Sequence, residues 1–172
     1  MKTLSLILTV IIAMSGIANA NGQIKSLYTS TGNKACRELD SNEEGVKYMG
    51  RCRGVGGYAL DLYEGDLRQS LIVITPAKKE FDLGFTNFFA NYSFIGKKIE
   101  WRTKAGVPFA LIARYTLADP VDGKKSSSYL MVARIGKKGA CVVDVIDPGP
   151  KQNEKARISA DSAATKPCKV LD

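Results

Sequence analysis

The sequence predicts a mainly β protein: an antiparallel sandwich or partly open barrel of about six to eight strands, with an aromatic helix or loop segment and a short C-terminal helix. Three observations carry this prediction. Short runs of alternating apolar and polar residues recur between glycine-bearing turns, as half-buried strands require. Two pairs of such runs are joined by turns of hairpin length. A single stretch with alanines at helical spacing lies near the end of the chain, between proline-containing segments.

Residues 1–20 stand apart from that fold. Lys2 supplies a positive start, Leu4 to Ala13 is an almost unbroken apolar run, and Ala18-Asn19-Ala20 matches a small-x-small cleavage pattern. The apolar run is shorter than the roughly 20 residues that cross a bilayer. No charged stop-transfer flank follows it, and no cysteine lies near the cut to take a lipid. The segment reads as a signal peptide cleaved before Asn21, placing the mature chain in the periplasm or outside the cell with no transmembrane segment. Of 172 residues 152 then remain, a length that suits one disulfide-stapled domain over residues 21–172. Losing Lys2 lowers the net charge from +8 to +7. Such an excess favours anionic partners, within a screening distance of about 10 Å at 0.1 M salt.

The expected elements follow in order. Residues 46–53 read as a strand leading into Gly54-Val55-Gly56-Gly57, whose glycines admit positive φ. Tyr58, Leu60 and Leu62 alternate with Ala59, Asp61 and Tyr63 in a half-buried strand. Glu64-Gly65-Asp66 turns the chain into Leu67–Thr75, a buried strand that Pro76 stops. Phe81, Phe85, Phe88, Phe89 and Tyr92 fall at helical spacing. Two hairpins come next: residues 99–103 with 107–117 about Lys104-Ala105-Gly106, and 129–135 with 140–146 about Gly136-Lys137-Lys138-Gly139. In the first, Phe109, Leu111, Ala113, Tyr115 and Leu117 are expected on one face, with Arg114 and Thr116 opposite. Residues 152–164 read as the helix, with Ala156, Ala160, Ala163 and Ala164 on its apolar side.

Cys36, Cys52, Cys141 and Cys168 are an even set in an exported chain and read as a disulfide framework. Three pairings are open. Cys36–Cys52 with Cys141–Cys168 is expected, because each bond then joins neighbours within one local unit. There is no Cys-x-x-Cys and no histidine, so neither zinc nor redox chemistry is indicated, and no cofactor motif is found.

Several stretches together resemble a family of exported bacterial proteins without an assigned activity. They are Cys36, Arg51–Tyr58, Glu64–Leu71, Ile99–Arg102 and the 141–157 segment with Pro148-Gly149-Pro150. The resemblance implies a periplasmic or secreted protein with two disulfides, and no catalytic residues. A narrower stretch, Gly57–Leu62 followed by Gly65, is similar to the strand and turn of lysozyme-inhibitor barrels. That similarity implies an inhibitor of a secreted enzyme, although a +7 chain would be steered away from a basic one.

Without histidine, Ser-His-Asp and Cys-His catalysis is excluded. A carboxylate-based hydrolase would need two of Glu38, Asp61, Glu64, Asp66 and Glu100 to converge across a cleft. Arg51 and Arg53, before the glycine-rich loop, are candidates for anion capture. Four lysine doublets, at 78–79, 97–98, 124–125 and 137–138, fall in expected loops. Strand counting places Lys97-Lys98 and Lys124-Lys125 at one end and Lys137-Lys138 at the other. No aromatic platform accompanies them, so nucleic acid is not an expected partner. The aromatic segment offers Phe85, Phe88 and Phe89 either to the core or to a groove for an apolar ligand. The expected function is therefore non-enzymatic binding of an anionic or apolar envelope component or another exported protein. Its candidate residues are Arg51, Arg53, Lys97, Lys98, Lys124, Lys125, Phe85, Phe88 and Phe89.

Overall fold

A computed structural model describes residues 22–32, 34–41, 47–88 and 92–171. The expected signal peptide and Phe89 lie outside the described residues. Mainly β structure is observed, with one short C-terminal helix and a sheet that does not close into a barrel. The strands are β1 (Ile24–Ser30), β2 (Cys36–Ser41), β3 (Lys47–Arg53), β4 (Ala59–Gly65) and β5 (Arg68–Ile74). They continue as β6 (Glu80–Asp82), β7 (Ser93–Lys104), β8 (Val107–Ala118), β9 (Ser126–Gly136) and β10 (Gly139–Ile146), before helix α1 (Gln152–Asp161).

Ten strands among the described residues exceed the six to eight expected. The strands not among the expected elements are β1, β2 and β6, and the last two have little pattern to read. Five of the six residues of β2 are exposed, so no apolar face alternates along it. β6 has only three residues and lies inside the expected aromatic segment. Of the two expected forms, helix or loop, the described residues take the loop. Gly84 adopts φ 66°, the Asp82 carboxylate accepts its N–H at 2.8 Å, and only a single 3-10 turn, Phe85–Asn87, follows.

The strands run β10-β9-β8-β7-β5-β4-β3-β2, with β1 added to β7 and β6 to β5. Pairing is antiparallel except where Ser93 of β7 meets Arg68 of β5. The curled inner face buries Leu60, Leu71, Trp101, Tyr115, Met131 and Val142 in one cluster. Burying side chains of this size contributes roughly 1.5–3 kcal/mol each. Their polar tips are satisfied: the Trp101 indole donates to Thr29 at 2.8 Å and Tyr115 to Ser93 at 2.7 Å. On the outer face α1 covers Ala110, Ile112, Leu130 and Val132 with Ala156 and Ala160, joined by Ala163 of the 3-10 turn that follows. Ala164 departs from expectation and is exposed, because the helix stops at Asp161 and a short 3-10 turn changes its phase.

Two bulges redirect residues. Arg102 pairs with Ala110 but Thr103 with Pro108, which leaves Phe109 as an extra residue on β8. Leu111, Ala113, Tyr115 and Leu117 point inward as expected, while Phe109 packs on the helix side. The second bulge lies in β7 between Ile95 and Ile99. Lys97 and Lys98 are therefore part of a strand rather than of the expected loop.

Both disulfides form in the expected pairing, Cys36–Cys52 and Cys141–Cys168. Cys36 lies directly across from Cys52 in the β2–β3 ladder. Cys168 carries the tail back to β10, where the Lys169 N–H donates to the Val142 carbonyl at 2.8 Å. Disulfides form in oxidising compartments. Among the described residues no helix is long and apolar enough to cross a membrane.

Candidate ligand-binding mouth

β3, β5, β7 and β9 all finish at the same end of the sheet, so the four segments that follow them gather there. These are Gly54–Gly57, Thr75–Lys79, the turn about Ala105-Gly106, and Gly136–Gly139. None contains an aspartate or a glutamate. They and the adjoining strand ends carry Arg53, Lys78, Lys79, Lys104, Lys137 and Lys138, all exposed. Among the described residues none of these six cations is in a salt bridge. The nearest acid along the chain, Glu80, leans instead towards Arg51 at 3.8 Å.

Within this mouth lies a cavity of about 440 Å³, walled by Tyr58, Pro76, Ala77, Val107 and Pro108, with Lys137 at its rim. Gly56 makes that wall possible: its φ is +63°, and a Cβ there would sit 2.8 Å from the Pro108 ring. Tyr58 leans on Trp101 with ring centroids 6.2 Å apart. Burial pushes its hydroxyl pKa up, keeping the phenol neutral. Val107 leaves much of its side chain in solvent at the opening. Across the Gly136–Gly139 hairpin is a second cavity of about 610 Å³, bordered by Phe109, Arg134, Lys138 and the Cys141–Cys168 bond.

Of the sequence-predicted candidates, only Arg53 stands at this mouth. Arg51 is bound bidentately to buried Asp61, at 2.7 Å for both contacts, and that carboxylate raises its pKa. Lys97 borders a shallow groove with Ser30, Gly32, Lys34 and Ala35, and Lys98 lies over the Tyr28 ring at 5.6 Å. Lys124 and Lys125 occupy the β8–β9 connection at the opposite end, where Lys125 meets Asp122 at 3.3 Å. Asp119 accepts the Val121 and Asp122 N–H groups there, at 2.9 and 2.8 Å, which holds its carboxyl pKa down. Phe85 is wholly buried, its ring edge-on to Tyr115 at 5.4 Å, and Phe88 is half-buried against Tyr129 at 5.2 Å. These two phenylalanines serve the core.

The candidate carboxylates are dispersed. Glu38 accepts the Ser41 hydroxyl at 2.7 Å, Glu64 is held by Gln69, and Asp66 is exposed 3.6 Å from Arg68. Glu100 lies beneath α1, where Arg157 donates to it at 2.7 and 3.1 Å and Ser26 at 2.6 Å. Burial pushes the Glu100 pKa up, but these hydrogen bonds outweigh it and hold the group below its ordinary range. Arg102 completes the network on Asp161, at 2.7 and 2.9 Å. None of the five carboxylates borders the cavities at the mouth or the groove at Lys97. Among the described residues no group of three or more Asp, Glu, Cys or His side chains is placed to hold a metal ion.

Lys104 and Lys137-Lys138 are two expected strands apart and so share an end in the sequence, but Lys78-Lys79 joins them only through the strand at residues 80–82, which shows no pattern. A returning strand there places Lys78-Lys79, Lys104 and Lys137-Lys138 at one end. A simpler signal was also available, since the turns at this end lack acids and those at the other contain Glu64, Asp66, Asp119 and Asp122.

Fold and site together define a disulfide-stapled, curled antiparallel sheet with a basic, apolar-lined mouth. No protein-family model matches the chain, and neither a curated protein nor a solved structure matches it. The two disulfides implied by the family resemblance are present; the family itself is not shown.

Proposed function

We propose that this is an exported, non-enzymatic binding protein of the periplasm or extracellular space, and that it captures an anionic partner at the mouth. One observation carries the reading: four exposed lysines on acid-free segments and two exposed cations on the adjoining strand ends, Arg53 and Lys104, gather around a cavity. Elsewhere Arg51, Arg157 and Arg102 are occupied, on Asp61, Glu100 and Asp161 respectively. A carboxylate hydrolase receives less support, because its candidate acids are dispersed and Asp61 and Glu100 are already engaged by arginines. The surface proposed here keeps Arg53 from the sequence-predicted set and replaces Lys97, Lys98, Lys124 and Lys125 by the lysines at the opposite end.

The test is retention on an immobilised polyanion as salt is raised. Lys78→Glu/Lys137→Glu/Lys138→Glu should elute at markedly lower salt than the native protein, while Lys124→Glu/Lys125→Glu, equal in charge change per site, should elute closer to it. Reversals that shift elution in proportion to net charge alone, whichever end they occupy, would sink the proposal.

A further inference from the structure

We infer that the ligand of the mouth is an anionic amphiphile with one apolar chain, the chain entering the cavity and the charged head resting on Lys137 at its rim. The inference rests on the mouth being the binding surface and adds the chemical class of what binds.

The cavity's lining selects for carbon. Tyr58, Pro76, Ala77, Val107 and Pro108 present rings and aliphatic groups, and its volume of about 440 Å³ is within the usual range for small-ligand sites. Besides the Tyr58 hydroxyl, the polar side chains along it are those of Thr75 and Lys137. Thr75 is not available: it is 2% exposed and its hydroxyl oxygen accepts the Lys79 N–H at 3.0 Å. Part of the neighbouring backbone is engaged as well. Gly54 N–H donates to Tyr58, Tyr58 N–H to Val55, Thr75 N–H to Lys79 and Lys78 N–H to Thr75. A sugar, nucleotide base or peptide entering here would surrender hydrogen bonds to water and recover few from the wall, a cost of about 1–3 kcal/mol per buried polar group. An alkyl chain surrenders none and gains roughly 0.8 kcal/mol per buried methylene.

Charge sets the orientation. Lys137 borders the cavity itself, Lys138 follows it on the hairpin, and Lys104 precedes the turn that carries Val107. An anionic head is thus matched at the rim, where it stays partly hydrated, and no carboxylate in these segments opposes it. Exposed Val107 extends the apolar wall to the opening, so the chain need not cross a polar collar.

The experiment is calorimetric titration of the native protein at low salt with three probes, each below its aggregation concentration: dodecanoate, dodecyl maltoside and inorganic triphosphate. Cosedimentation with phosphatidylglycerol vesicles runs beside it. Dodecanoate should bind one to one and more tightly than either other probe. Lys137→Glu should weaken it by about tenfold, the effect of losing one charge-assisted contact. Val107→Glu, at an exposed position that leaves the core intact, should weaken it comparably, and Lys124→Glu should leave it unchanged. Triphosphate binding as tightly as dodecanoate would overturn the amphiphile inference and leave the anion-binding reading standing. Maltoside binding as tightly would remove the role of charge, and the anion-binding reading with it. Vesicle binding without dodecanoate binding would assign the mouth to a membrane surface instead, and silence in every arm would overturn both conclusions.

Discussion

Beneath α1, charge is matched by charge. Arg102 lies on Asp161, Arg157 on Glu100, and Lys166 on Asp144 at 2.9 Å with Ser159 between them. At the mouth, Arg53, Lys104, Lys137 and their neighbours face water, and no ion pair among the described residues includes them. The two regions use the same kinds of side chain for opposite ends. Partly buried cations without partners would cost several kcal/mol, so the face under the helix pairs them, and the pairs fix where an alanine-surfaced helix sits. Exposed cations cost little to leave unpaired and retain their field for an incoming anion. Positive charge that holds the shape can therefore be distinguished from positive charge that is free to bind.

The strongest challenge to this contrast removes the bond between the two regions. Cys141→Ser/Cys168→Ser frees the tail from β10, and closing a loop of this length is worth about 3.5 kcal/mol in the chain-entropy account. The denaturation midpoint should fall accordingly, while the remaining folded protein keeps its anion affinity at the mouth. Glu100→Gln follows, at about 3 kcal/mol, because it leaves Arg157 and part of Arg102 without a counter-charge in a half-buried setting. Denaturant titration measures both.

Acid should act more gradually. Asp144 resembles Glu100: burial raises its pKa, and hydrogen bonds from Ser159 and Lys166 lower it by more. Both groups titrate lower folded than unfolded. Their contribution is complete above the unfolded carboxylate range, near pH 4, and is lost as pH falls through the lower folded values. Thermal midpoints measured from pH 6 to pH 2 should decline across that window, and Glu100→Gln should flatten the decline. The smallest effect on stability belongs to the mouth. Lys137→Glu/Lys138→Glu should change the unfolding free energy by no more than about 0.5 kcal/mol while altering anion binding. A large loss there would mean these lysines hold structure after all, and the contrast would collapse.

Much of the fold was legible because burial leaves a period in the sequence. Leu60 and Leu62, the inward row from Leu111 to Leu117, both late hairpins and the alanine face of α1 all follow from alternation or helical spacing. Phe109 was misplaced because one bulge shifts the phase, and nothing in the residues themselves marks a bulge. β2 and β6 were invisible because an edge strand without an apolar face, and a three-residue strand, have no period to show. The site was less legible for a related reason. A cation's role depends on what lies across from it in space: Arg51 and Arg53 are two residues apart, yet one is committed to Asp61 and the other has no ion-pair partner among the described residues.

The placement of the two disulfides has a further consequence. A closed barrel has no first or last strand, whereas an open sheet can fray inward from either boundary. Here the main strand path ends at β2 and β10, each with one half-cystine, Cys36 and Cys141, while β1 and β6 are further edges without one. Cys36–Cys52 clasps β2 to β3 and Cys141–Cys168 clasps β10 to the C-terminal tail, so each end of the path is held covalently. The molecule can leave one end gaping, as a ligand entrance requires, while the two ends of its main strand path stay fastened against unzipping.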